Sequence, residues 1–180
     1  MPSNRFNAVI GEILKHEGGY NDIKGDSGGS TNFGVSLTFA KTINLDVDGD
    51  GDTDYLDIKL LTEKQAINIY WNNFWKPMYD KMPAGVGEKV FDVAVNAGAS
   101  RAHKLLQQSL KNLGEKISID GAIGNETLTA LKKYTGDQVI TAYCAAQAAF
   151  YNGLVAANPV YKKFQAGWLN RAKWKPSTQI

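Results

Sequence analysis

One cysteine, Cys144, stands in the 180 residues, so the chain forms no disulfide within itself. It lies in Tyr143-Cys144-Ala145-Ala146 with no basic neighbour to activate a thiol, and reads as a small core residue. Histidine is nearly as scarce. His16 and His103 have no other nitrogen or sulfur ligands near them in sequence, which leaves no zinc signature. His103 falls off the apolar stripe of its helix and reads as a surface residue. No catalytic cysteine with a plausible partner occurs, so acyl transfer by a cysteine nucleophile has no carrier. No apolar run reaches bilayer length, and no charged start is followed by a signal-like apolar run. The expectation is a chain made soluble in the cytoplasm, with no membrane insertion. Acidic residues are missing after Asp137, where Lys162, Lys163, Arg171, Lys173 and Lys175 follow, against a net charge of only +2. Such a basic end would suit an anionic partner such as a cell wall or nucleic acid; a solvated helix face is the plain alternative. Long strand-like alternation is absent too, which makes the fold mainly α, with one tiny hairpin in residues 19–35.

What is present gathers first around Glu17. Phe6, Val9, Ile10, Ile13 and Leu14 recur at the spacing of one helical face. Continuing that helix puts Glu17 on the apolar stripe, four residues past Ile13, and Gly18-Gly19 then ends it. A half-buried carboxyl suits a general acid, because loss of water disfavours the ionised form. Asp26, nine residues on, supplies a second carboxylate, and Thr31 a hydroxyl. One protonated and one ionised carboxyl across a cleft is the apparatus of glycoside hydrolysis. On spacing alone, Glu17 ending a helix and Asp26 making a turn explains the same residues.

The longer pattern adds to this. Glu17-Gly18-Gly19-Tyr20, followed by Asp26-Ser27-Gly28-Gly29-Ser30-Thr31-Asn32-Phe33-Gly34-Val35-Ser36, resembles the N-terminal signature of the phage and prophage muramidases grouped as glycoside hydrolase family 108. The order Glu, Asp, Thr is similar to the phage-lysozyme arrangement of acid, second carboxylate and hydroxyl, with Thr31 one residue nearer Asp26 here. Phe91-Asp92-Val93-Ala94-Val95-Asn96-Ala97-Gly98 and Phe164-Gln165-Ala166-Gly167-Trp168-Leu169-Asn170-Arg171 extend the resemblance over nearly the whole chain. Asp120-Gly121-Ala122-Ile123-Gly124-Asn125-Glu126-Thr127 resembles the loop and helix of small peptidoglycan-binding modules.

Between these segments lies Asp46-Val47-Asp48-Gly49-Asp50-Gly51-Asp52-Thr53-Asp54-Tyr55-Leu56-Asp57. Asp46, Asp48, Asp50, Asp54 and Asp57 occupy positions 1, 3, 5, 9 and 12 of a calcium loop, with Gly51 at the sharp turn and Asp in place of the usual Glu at 12. The expectation is a structural calcium pinning an insertion at 46–57; a solvated acidic loop is the alternative.

The remaining segments read as helices. Ser36 caps a short one to Ile43, and Thr62-Glu63-Lys64-Gln65 is a capping box opening another to Lys76. Among the aromatics at 70–79 most are core, with Trp71 or Tyr79 the better candidates for exposure. Residues 85–97 form a continuously apolar, central helix in which Asn96, if buried, must find partners or face a ligand. Ser100 caps the next helix, and Asp137 caps a long alanine-rich one to Asn158. A last helix holds Phe164, Trp168, Leu169 and Arg171.

The resemblance implies a lysozyme-like helical fold over residues 1–180, with a peptidoglycan-binding-like helical part from about 85. It also implies hydrolysis of the β-1,4 bond between N-acetylmuramic acid and N-acetylglucosamine, with Glu17 as acid, Asp26 as second carboxylate and Thr31 beside them. Tyr20, Asn32 and Asn96 would hold the sugar. Peptidoglycan is then the partner, not nucleic acid, met by a monomer after export or holin-dependent release and with no catalytic cofactor. Three rivals keep the same residues: a lytic transglycosylase, a non-catalytic wall-binding or secretion-assisting protein, and a calcium-dependent interaction module.

Overall fold

In a computed structural model, the structure describes residues 1–21 and 29–178. The chain divides into two compact units, an N-terminal one, Met1–Asn73, and a C-terminal one, Phe74–Ile180. Among the described residues the only sheet has two strands, and helix dominates both units.

The N-terminal unit begins with α1 (Asn4–Glu17), whose first turn is closed by the Ser3 hydroxyl accepting from the Phe6 N–H at 3.2 Å. Its buried face is Phe6, Val9, Ile10, Ile13 and Leu14, the stripe the periodicity predicts. Gly18 closes the other end, its N–H donating to the Leu14 carbonyl. The strands β1 (Thr31–Asn32) and β2 (Val35–Ser36) pair antiparallel, Thr31 with Ser36 and Asn32 with Val35. Two residues connect them, Phe33 at φ +50 and Gly34 at φ +74, and positive φ at both is what a type I′ hairpin turn requires.

Ser36 then caps α2 (Leu37–Thr42), its hydroxyl accepting from Phe39. After the acidic loop come α3 (Tyr55–Leu60) and α4 (Glu63–Asn73). The predicted box at Thr62 forms, with the Gln65 side chain accepting from the Thr62 N–H and the Thr62 hydroxyl accepting from the Gln65 N–H. α4 stops at Asn73, earlier than the expected Lys76. Val35, Ala40, Ile58, Leu61, Ala66 and Ile69 form one apolar cluster that ties hairpin, α2, α3 and α4 together.

The C-terminal unit holds a 3₁₀ turn at Tyr79–Lys81, then α5 (Val86–Ala97), α6 (Ala99–Asn112), α7 (Asn125–Leu131), α8 (Gly136–Ala157) and α9 (Lys162–Lys173). The main packing runs α5 on α6, α6 on α8 and α8 on α9. Two expected caps shift. Gly98, not Ser100, precedes α6, and Thr135, not Asp137, caps α8 through a reciprocal box with Gln138. Along α8 and α9 the rings of Tyr151, Trp168 and Phe164 stack at centroid spacings of 5.2 and 5.6 Å.

Contrary to the sequence expectation, α8 is long and apolar enough to cross a membrane by length and composition alone. Alanine supplies much of that apolarity. Two of its tyrosines are tethered inside the unit: Tyr143 donates to the Ala102 carbonyl at 3.0 Å and Tyr151 to the Asn96 side chain at 2.8 Å. Those bonds mark α8 as a helix packed on α5 and α6.

Candidate functional site

The apolar face of α1 holds that helix in place and so delivers its last residue, Glu17, to a half-buried position. What Glu17 lies against is the hairpin turn. A Cβ placed on Gly34 would fall on the Tyr70 hydroxyl and come within 2.7 and 2.8 Å of Glu17 Cβ and Cγ. The backbone at Gly34 therefore packs directly on the aliphatic stem of Glu17, and only glycine allows it. Tyr70, buried on α4, donates its hydroxyl to the Phe33 carbonyl at 2.8 Å and holds the turn there.

Thr31 belongs to the same hairpin. Its backbone exchanges two hydrogen bonds of 2.8 Å with Asn21, so the strand pairs on one side with β2 and on the other with the segment leaving α1. The Thr31 side chain is half-buried, and Tyr20 beside Asn21 is exposed. Thus one small element of the N-terminal unit carries Tyr20, Thr31 and the turn against Glu17. Asp26, expected as the second carboxylate, lies outside the described residues.

Two of the expected sugar-holding residues have hydrogen-bond partners within the protein. Asn32 is buried, and its amide donates to the carbonyls of Ile58 at 3.0 Å and Leu61 at 3.2 Å. It pins the hairpin to the end of α3, a task that sequence spacing cannot reveal because the partners lie 26 and 29 residues on. Asn96 belongs to the C-terminal unit, and is exposed rather than buried. Its partner is the Tyr151 hydroxyl.

The acidic loop brings its carboxylates together in two groups: Asp46, Asp48 and Asp50, and Asp52, Asp54 and Asp57. The second group includes Asp52, which the calcium-loop spacing leaves out. Backbone donors already serve these oxygens. Asp46 accepts from Gly49 at 2.6 Å and Gly51 at 3.2 Å, and Asp50 from Asp52 at 3.0 Å. Asp54 caps α3, accepting from Leu56 at 2.6 Å. Asp57 is buried and accepts from Val47 at 2.6 Å and Asp54 at 2.8 Å. Burial alone would raise its pKa, but the N–H groups of Val47, Asp54 and Asp48 outweigh that and hold it below the usual carboxylate value. Loss of solvent raises Asp48, with the charges of Asp50, Asp57 and Asp46 adding to it; the charge of Asp50 chiefly raises Asp52. Asp48 and Asp52 thus gain from a cation, while Asp57 is equally explained as the anchor of the loop.

Several polar residues of the C-terminal unit were not visible as such in the sequence. α5 is not continuously apolar: Glu88, Lys89 and Asp92 are buried on it. Lys89 donates to the Arg171 and Ala172 carbonyls at 3.2 and 3.3 Å, and loss of solvent lowers its pKa. His103 is buried, not on the surface, and bonds both ways: Nε2 to the Tyr79 hydroxyl and Nδ1 to the Gly121 carbonyl, each at 2.9 Å. Tyr79 is fully buried as well, against expectation. Gln107 completes a clamp on the glycine loop, donating to Asp120 at 2.7 Å and to the Ala122 carbonyl at 3.0 Å, and accepting from Gly121 at 2.8 Å. Neither His103 nor Gln107 lies on the stripe of Ala102, Leu105, Leu106, Ser109 and Leu110, so helical spacing carries no signal of their burial. Cys144 is half-buried, its thiol 3.8 Å from the Trp174 carbonyl.

The family described as glycosyl hydrolase 108 matches residues 10–98, and that described as a predicted peptidoglycan domain matches residues 101–173. A solved structure described as that of Brucella abortus SagA is 32% identical, with a TM-score of 0.74, over 93% of this chain and 88% of that one. No curated protein matches the chain. These matches meet the geometry at Glu17: a lysozyme-like, mainly helical chain with a carboxyl at the end of its first helix and a peptidoglycan domain after it in sequence belongs to glycosyl hydrolase family 108 and is a peptidoglycan hydrolase.

Proposed function

We propose that the protein is an N-acetylmuramidase that lyses cell wall by cleaving the β-1,4 bond between N-acetylmuramic acid and N-acetylglucosamine. The observation that carries this reading is the half-buried Glu17 packed on the hairpin turn at Gly34. A carboxyl held by its stem on a fixed backbone can meet a glycosidic oxygen in one orientation, and protonating that oxygen lets the sugar leave. Asp26 is the second carboxylate, acting as base for a water or as a stabiliser of positive charge at the anomeric carbon. The Thr31 hydroxyl orients that water, and Tyr20, on the same element, offers an exposed ring to a sugar.

In this reading the C-terminal helical part, from about residue 85, holds the wall. A groove of about 350 Å³ beside α7, lined by Glu115, Lys116, Asn125, Glu126, Thr129 and Lys133 among others, offers charges of both signs, as a peptide stem would require. The acidic loop holds a structural calcium and takes no part in chemistry. The protein works as a monomer, made in the cytoplasm and reaching the wall by export or holin-dependent release.

Incubation with purified sacculi, followed by identification of the new chain ends, tests the reading. Reducing N-acetylmuramic acid ends support it. Anhydro ends would make the protein a lytic transglycosylase, and binding without new ends would make it a wall-binding protein.

A further inference from the structure

Within the N-terminal unit, the Glu17 stem and the Tyr70 hydroxyl meet at a single backbone position, Gly34. Both would collide with any Cβ there, and the φ of +74° disfavours a side chain independently. The residue before it, Phe33, also has positive φ, which a bulky residue avoids unless its surroundings impose it. The two-residue hairpin turn imposes it, and the 2.8 Å hydrogen bond from the Tyr70 hydroxyl to the Phe33 carbonyl holds that turn. Tyr70 is itself buried, 1% exposed on α4. A mechanical line therefore runs from α4 through the Tyr70 hydroxyl to a strained turn, and from that turn to Glu17.

We propose that Tyr70 and Gly34 are positioning residues for the Glu17 carboxyl: the hydroxyl sets the height of the turn, and the missing Cβ lets Glu17 rest on it. The inference builds on the reading of Glu17 as general acid. An acid must lie within hydrogen-bond reach of the oxygen it protonates, and a misplacement of about 1 Å costs roughly a hundredfold in rate. Tyr70 is buried, so it acts through Glu17 and not on the glycan. The effect of Tyr70 and Gly34 is on where the Glu17 proton is delivered, so it belongs in kcat and not in KM.

The test is steady-state kinetics on soluble peptidoglycan glycan fragments, with melting followed in parallel. Tyr70→Phe keeps the buried ring and removes only the hydroxyl. It is expected to lower kcat roughly 10- to 100-fold with KM little changed, in a variant that still melts cooperatively. Gly34→Ala is expected to lose both melting temperature and kcat. In Gly34→Ala/Tyr70→Phe the collision with the hydroxyl is gone while that with Glu17 and the positive φ remain, so melting temperature should recover in part and kcat should not. On a Glu17→Gln background, Tyr70→Phe should cause no further loss.

Wild-type kcat in Tyr70→Phe overturns the proposal. So does recovery of kcat together with melting temperature in the double variant, which would make the turn structural only. A Glu17→Gln variant within roughly tenfold of wild type would instead remove Glu17 from the mechanism, whatever Tyr70→Phe does. Should Gly34→Ala fail to fold, Gly34→Asn carries a Cβ on a residue that tolerates positive φ and repeats the comparison.

Discussion

Arg171 on α9 holds Asp92 on α5 by one carboxylate oxygen, with Nε at 3.0 Å and Nη2 at 2.9 Å from Oδ1, and Nη2 also donates to the Asp92 carbonyl at 3.3 Å. Asp92 is fully buried, with Arg171 as its ion-pair partner and the charge of the buried Lys89 also acting on it. Removing one member of a buried pair leaves the other uncompensated, at a cost of about 3–5 kcal/mol. Arg171→Ala should therefore destabilise the C-terminal unit by that order in urea unfolding. Replacing both residues with leucine should cost far less than Arg171→Ala alone. Equal losses from the two variants would show that shape, not charge, is what the pair supplies.

Glu17→Gln keeps the shape of the side chain and removes the proton. Hydrolysis of sacculi should fall about 10²- to 10⁴-fold while the melting temperature is retained. Release of soluble muropeptides is the measurement.

Asp57 joins the acidic loop to α3 through the N–H groups of Val47 and Asp54. Its pKa in the folded chain lies below the usual value, so its contribution is complete above the unfolded-chain pKa of about 3.9 and is lost as pH falls through the folded value. Asp57→Asn should cost about 1–3 kcal/mol at neutral pH. Unfolding free energies of variant and wild type, measured by urea titration, should converge in strong acid.

Calcium should relieve the mutual repulsion that raises Asp48 and Asp52. A ligand binding only the folded state at a hundredfold excess adds about 2.7 kcal/mol, or roughly 5–10 °C in a protein of this size. The thermal shift between millimolar calcium and a chelator checks this, and sacculus hydrolysis at low temperature should be the same in both.

His103 lies between Tyr79 and Gly121, and loss of solvent lowers its pKa below the ordinary 6.5, against the Gly121 hydrogen bond and with the Lys76 charge adding to it. A base whose folded pKa is lowered stabilises fully above the unfolded value and loses that contribution as pH drops through the folded one. Stability of the wild type should therefore decline from about pH 6.5 downwards. His103→Gln should show a flatter profile over that range, with a lower plateau.

The sequence by itself determined whatever depends on residues within a turn or two of each other. The buried stripe of α1, the glycine that ends it, the caps at Ser36 and Thr62 and the hairpin within residues 19–35 all follow from local periodicity and local hydrogen bonds. The family signature around Glu17 lies in the same short range. Tertiary structure alone decided the rest, because it turns on partners far along the chain and on which polar groups lose water. Asn32 gave its amide to carbonyls on α3, His103 was drawn inside by Tyr79 and Gly121, and Asp92 was buried on α5 because Arg171 arrived from 79 residues away. The contact on which the proposed chemistry rests is of this second kind. Glu17 and Gly34 are joined only after a hairpin folds back and a tyrosine from α4 locks its turn, and no local propensity encodes that meeting.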